Sequence, residues 1–150
     1  MSYEETLKEI KETFGFVPDF FKKTPKDVII HMWPIFKKYQ LGESSIPPKY
    51  REMMMLAASA AVKCPYCEMY HTEASKMLGA TDEELSELAV LVASVGFWSN
   101  TLHTMNYDMN KFSKELEKAG KYMASKSKSK KKSSKWIKPT IGKNENSSEN

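Results

Sequence analysis

Apolar side chains recur at three- and four-residue steps through most of this chain. That is the spacing of one helix face, not the alternation of a strand. With Ser2 as N-cap, the pattern predicts a helix over Tyr3 to Phe14, ended by Gly15. Val17-Pro18-Asp19-Phe20-Phe21 begins a short second helix. Thr24-Pro25 reads as an N-cap followed by proline at the first helical position. The helix behind it sets Ile29, Met32, Trp33, Phe36 and Tyr39 on one stripe, and Pro34 is expected to kink it. After a loop at Gly42 to Pro48, the run Lys49 to Val62 is rich in the strong helix formers Met, Ala and Leu. A helix over Cys64 to Leu78 follows, stopped by Gly79. Thr81-Asp82-Glu83-Glu84 is a capping box for the next, which turns Leu85, Leu88, Ala89 and Val92 inward and breaks at Gly96. The last helix, Ser99 to Met123, carries Leu102, Met105, Met109, Phe112 and Leu116 in register. No strand and no internal repeat stands out. The predicted fold class is all-α.

Composition adds a boundary. The chain has 150 residues, 41% of them hydrophobic, enough for one domain with its own core. The formal charge of +4 is uneven: residues 1–120 carry 14 basic and 17 acidic side chains, whereas 121–150 carry nine Lys and two Glu. From Ser125 to Lys135 only serine and lysine occur. Such a segment cannot bury enough surface to offset its chain entropy. The expected organisation is a helical domain over 1–123 and a disordered Lys/Ser-rich tail over 124–150, with Trp136, Ile137 and Ile141 as an apolar island able to dock on the body. The ordinary role of such a tail is solubility. Its other role is binding a polyanion, nucleic acid or anionic lipid, and no RNA-binding motif argues for more than weak nucleic-acid contact. The polar, acid-rich start, Met1 to Glu12, is unlike a secretory leader. The longest apolar stretch, Leu88 to Trp98, is eleven residues, against roughly 20 for a membrane span. No membrane span and a cytoplasmic location are therefore expected. Ten methionines follow the core stripes, so they are expected to fill gaps in the core and at subunit contacts rather than bind a cofactor.

The candidate chemistry is concentrated in Cys64-Pro65-Tyr66-Cys67, which holds both cysteines of the chain, and in His71. Thiols two residues apart can close a disulfide within one turn. At a helix start they also feel the positive end of the helix dipole, which favours thiolate. In a reducing compartment such a pair is catalytic or metal-binding more often than structural. His71 lies four residues after Cys67, on the same face of a helix. Three readings compete. A glutaredoxin-like fold needs a β-branched strand running into the first cysteine, and Met53 to Val62 is helical in composition. A zinc site in a non-enzymatic helical oligomer has Cys64, Cys67 and His71, but must recruit His31 or His103 as a fourth ligand. The third reading is a helical redox enzyme without flavin, nicotinamide or metal.

Glu52, eleven intervening residues, Cys64-Pro65-Tyr66-Cys67, three more and His71 form a pattern that resembles the carboxymuconolactone decarboxylase family, in its alkylhydroperoxidase D-like (AhpD-like) branch. Gly79-Ala80-Thr81-Asp82-Glu83-Glu84-Leu85 also resembles that family's start of the following helix. The resemblance implies an all-helical bundle, a homo-oligomer (trimer or hexamer), and reduction of hydroperoxides or disulfides with a thiol reductant or redox partner protein. It implies Cys64, Cys67, His71 and Glu52 as catalytic residues, with Glu52, His71 and Cys67 as a proton relay. Helix-end electrostatics favour Cys64 as attacker and the relay favours Cys67, so the order stays open. In a tight antiparallel hairpin Glu52 and His71 stand about 18 and 10 Å from the turn. The difference of about 8 Å asks for long side chains, a bent hairpin or a bridging water.

Overall fold

The computed structural model describes the backbone of residues 1–133 and the side chains of residues 1–127. It comprises α1 (Tyr3–Phe14), α2 (Asp19–Lys23), α3 (Lys26–Phe36), a π-helical turn (Lys37–Leu41), α4 (Pro48–Val62), α5 (Pro65–Met77), α6 (Asp82–Thr104) and α7 (Met109–Ser133). No strand occurs among the described residues, and the all-α expectation holds. The chain divides into two compact units, Met1–Phe97 and a second that begins at Trp98.

The start of the first unit is locally encoded. Ser2 Oγ accepts from the Glu5 N–H (3.1 Å), and the Glu5 carboxylate accepts from the Ser2 N–H (2.6 Å), so two orphan donors of α1 are satisfied reciprocally. Gly15 caps the other end at φ +80°, a left-handed conformation that an L side chain resists. α1 packs against α3. Between them Ile10, Ile29 and Trp33 form the buried apolar cluster, with Leu7, Phe14, Phe21 and Phe36 packed around it. The Trp33 indole is buried without penalty because its Nε1–H donates to Glu9 Oε2 (2.9 Å), which also receives Lys37 Nζ. The predicted α3 stripe is narrower than expected: Ile29 and Trp33 are buried, whereas Met32 and Tyr39 are exposed. Met32 stands at the stripe's edge. Past Pro34 the helix widens into the π turn, whose extra residue rotates Tyr39 away.

Two boundaries differ from the sequence pattern. Thr24 is the C-cap of α2, its Oγ1 donating to the Phe20 carbonyl (2.8 Å), and Pro25 takes the N-cap position of α3. Gly96 does not break α6, which runs on to Thr104. A lone glycine costs about 1 kcal/mol in a helix interior, too little to stop one of 23 residues. The turn comes at Met105 to Asp108, where Asn106 adopts φ +47° and Asp108 Oδ1 accepts the Lys111 N–H (2.7 Å) to open α7.

The later helices carry little buried surface. No residue of α6 is buried; Leu85, Leu88 and Val92 are half-buried and Ala89 is exposed. None of the ten methionines is in the buried core. By length and composition α6 is able to cross a membrane, with 23 residues and a mean hydropathy of 1.3 over its most apolar window. The apolar stretch Leu88 to Trp98 lies inside this helix, which is longer at both ends. α7 continues past Ala124, where the tail was expected to begin, to Ser133. Residues 134–150, with Trp136, Ile137 and Ile141, lie outside the described residues.

Lys37 first, and the Trp33 indole second, hold the Glu9 carboxyl below its usual value of 4.5. A lowered folded pKa stabilises the fold above the unfolded value, and that contribution is lost as pH falls through the folded value. Thermal melts across the acid range are therefore expected to show the parent's melting temperature falling more steeply below pH 4.5 than that of Glu9→Gln.

Candidate redox-active site

The site is built on the α4–α5 hairpin. Lys63 ends α4 in a left-handed conformation (φ 57°), and Cys64 follows in an extended one (φ −98°), so the chain reverses within two residues. Cys64 is the N-cap of α5, and Pro65 takes the first helical position, where a missing N–H costs nothing. Cys64 Sγ accepts from the Cys67 N–H (3.3 Å), the place a serine or aspartate oxygen takes in an ordinary cap. A thiolate there would receive both that N–H and the positive end of α5. Cys64 and Cys67 are joined as a disulfide with their Cα atoms 5.4 Å apart. Both residues are half-buried, and neighbouring Tyr66 is 86% exposed, so it is not packed into the body.

One turn beyond Cys67, on the same face of α5, lies His71. Helical side chains lean toward their helix N-terminus, so the imidazole leans back toward the cysteine turn. His71 Nδ1 and Glu52 Oε2 are hydrogen-bonded at 2.6 Å, with only 8% and 5% of the two side chains exposed. The gap expected between them is closed directly, without a bridging atom. With the carboxylate as acceptor, Nδ1 carries the proton and Nε2 is left free to exchange one. The Tyr70 ring meets the imidazole edge-on, with centroids 5.0 Å apart. Burial, and after it the charge of Glu52, push the Tyr70 phenol upward.

The interior of this hairpin is polar. Arg51, Glu52, Ser59, His71 and Ser75 are its buried residues, and no large apolar side chain of α4 or α5 is fully buried. Arg51 belongs to a charged helix start, Lys49-Tyr50-Arg51-Glu52. It turns inward, and its guanidinium donates to the carbonyls of Tyr39 (3.0 Å) and Gly42 (2.8 Å) at the end of the π turn. That clamp fixes the segment leading into α4 and so the axis on which Glu52 stands. Lys49 and Glu84 (2.6 Å) tie the start of α4 to the first turn of α6.

The zinc reading finds no geometric support. The two cysteines are bonded to each other, and no group of three or more His, Cys, Asp or Glu suited to a metal occurs among the described residues. His31 and His103 are exposed and engage the backbone of their own helices, at Asp27 (2.6 Å) and Ser99 (2.7 Å).

An all-helical chain with a CxxC pair capping a helix, backed by a buried carboxylate–imidazole couple, defines a class of helical dithiol proteins. The chain belongs to the carboxymuconolactone decarboxylase family, whose model matches residues 29–107, more than half its length. Its fold is similar to that of the alkylhydroperoxidase AhpD core from Rhodospirillum rubrum, with a TM-score of 0.63 and 24% identity over 71% of this chain and 82% of that one. No curated protein matches the sequence.

The Glu52–His71 bond predicts an asymmetric response to substitution. Glu52→Ala leaves a buried imidazole N–H without a partner, at a cost of about 1–3 kcal/mol. Glu52→Gln keeps an acceptor oxygen and is expected to lose less. Urea unfolding of both variants with the disulfide intact checks the order.

Proposed function

We propose that this chain is a thiol–disulfide oxidoreductase that uses Cys64 and Cys67 to reduce hydroperoxides or disulfides. The observation that carries the reading is the closed Cys64–Cys67 pair at the N-terminus of α5, one turn from a buried His71–Glu52 couple. A dithiol needs three aids: an environment that favours thiolate, a group to take and return a proton, and access for the oxidant. The helix end, His71 Nε2 and the partial exposure of the two cysteines answer to these in turn.

With a hydroperoxide, one thiolate attacks the outer oxygen and the O–O bond breaks. The alkoxide leaves with a proton from the His71 imidazolium, and the sulfur becomes a sulfenic acid. His71 then takes the proton of the second thiol; the resulting thiolate attacks the sulfenic sulfur, the S–O bond breaks, and the hydroxide leaves as water with that proton as the disulfide forms. With a disulfide substrate, attack on sulfur gives a mixed disulfide, which the second thiolate resolves. Both routes move two electrons to substrate and end at the same Cys64–Cys67 bond. Two electrons from a thiol reductant or redox partner protein reopen it. Glu52 holds the imidazole in the tautomer that leaves Nε2 to take the proton, and stabilises the imidazolium. Such a cycle suits a reducing compartment such as the cytoplasm.

The reading includes a homo-oligomer, trimer or hexamer. Support comes from the surface: Met54, Met69 and Met77 on the hairpin are each more than half exposed. A second copy packed on them would provide the methionines with the subunit contacts expected of them.

Thiol counting tests the proposal. The reduced parent is expected to lose two thiols per chain to an alkyl hydroperoxide or a small disulfide and to regain both with dithiothreitol. Cys64→Ser and Cys67→Ser are each expected to abolish turnover, and the variant that still forms a mixed disulfide identifies the attacking sulfur. Thiols that stay intact with both oxidants, or full turnover by either variant, would contradict it.

A further inference from the structure

The lysine-rich end of the chain is not a featureless appendage. α7 is one helix of 25 residues, Met109–Ser133, that holds nine lysines and two glutamates. Five of its apolar residues form one stripe: Met109, Phe112, Leu116, Ala119 and Met123 lie within about 80° of one another at 100° per residue, with Tyr122 and Ala124 outside it. Lys111, Lys114, Lys118 and Lys121 lie on the other side of the helix. Met109, Leu116 and Met123 are 75%, 57% and 64% exposed; only Phe112 is half-buried, its ring edge-on to Tyr107. The two acids are engaged, Glu115 by the Tyr107 hydroxyl and Glu117 by Lys121. Further lysines stand at 126, 128, 130, 131 and 132 of the same helix.

From this pairing of an open apolar stripe with a dense cationic complement, we propose that α7 docks on an anionic lipid surface. It would lie in the plane of the headgroups, with its apolar stripe at the acyl boundary and its lysines among the phosphates. Charge alone would suit any polyanion. The stripe favours lipid, because a nucleic acid takes up the lysines and leaves Leu116 and Met123 in water. The two contributions are unequal along the helix: the stripe ends at Met123, and the lysines become densest after it. Insertion by the first half and electrostatic attraction by the second are expected to act together. Binding through α7 would bring the dithiol protein to a membrane surface.

The test is co-sedimentation of the full chain with vesicles of phosphatidylglycerol and phosphatidylcholine, compared with vesicles of phosphatidylcholine alone. Binding to the anionic vesicles that weakens with salt, and none to the neutral ones, is expected. At about fivefold per lysine near an anionic surface, replacing Lys126, Lys128, Lys130, Lys131 and Lys132 by serine is expected to lower partitioning by more than a hundredfold. Leu116→Glu with Met123→Glu is expected to lower it at least tenfold while thiol turnover and helical circular dichroism are kept. Three results would overturn the proposal: no binding to anionic vesicles at low salt; binding unchanged by the stripe variant, with duplex DNA bound as well as vesicles; or conversion of an oligomer to monomers by the stripe variant, which would show the stripe to be covered by a second copy.

Discussion

The site depends on one buried hydrogen bond, that between Glu52 and His71. Either group alone would be costly between two helices with no solvent to satisfy it. Paired, each is the other's solvation, and the imidazole is held in one tautomer and one orientation. The pair also brings the helices into register. Glu52 stands ten residues before the end of α4 and His71 six residues after Pro65. Their contact fixes which turn of α5 faces which turn of α4, and therefore where the cysteine turn sits relative to the imidazole. The Arg51 clamp on the Tyr39 and Gly42 carbonyls serves the same end from the other side, by setting the entry of α4.

Stability and chemistry are carried by different parts of the first unit. The Ile10, Ile29 and Trp33 cluster and its aromatic surround use apolar burial, the ordinary source of folding free energy. The hairpin buries charge and hydroxyls instead. A seam of that kind adds specificity more than net stability, since its desolvation cost offsets much of the gain. Met54, Met69 and Met77 stand on its surface, which is why the proposed function includes other copies of the chain.

Much of the fold, and the cysteine turn of the site, could be read in the sequence because the cues are local. Ser2, Gly15, the cysteine cap with Pro65, Gly79 and the Thr81–Glu84 box all act within four residues, and each stands where the pattern put it. Failures came where a local cue met a longer-range competitor. Gly96 is a weak breaker inside a long helix, and Asn106 with Asp108 is the stronger one. Lys49-Tyr50-Arg51 looks like a solvated helix start, yet Arg51 turns inward because the Tyr39 and Gly42 carbonyls receive its guanidinium; Glu52, its neighbour, was named only through the family resemblance. Nothing in the spacing marks Ser75 as fully buried or Tyr70 as the neighbour of the imidazole.

The central claim is that His71 exchanges the proton that activates the dithiol. The pH profile of the single-turnover rate of thiol loss to an alkyl hydroperoxide, for the parent and His71→Ala, tests it most directly. The account predicts that the variant is slower at neutral pH by about a hundredfold or more, and that the deficit shrinks as rising pH supplies thiolate without help. Superimposable profiles for the two proteins would contradict it.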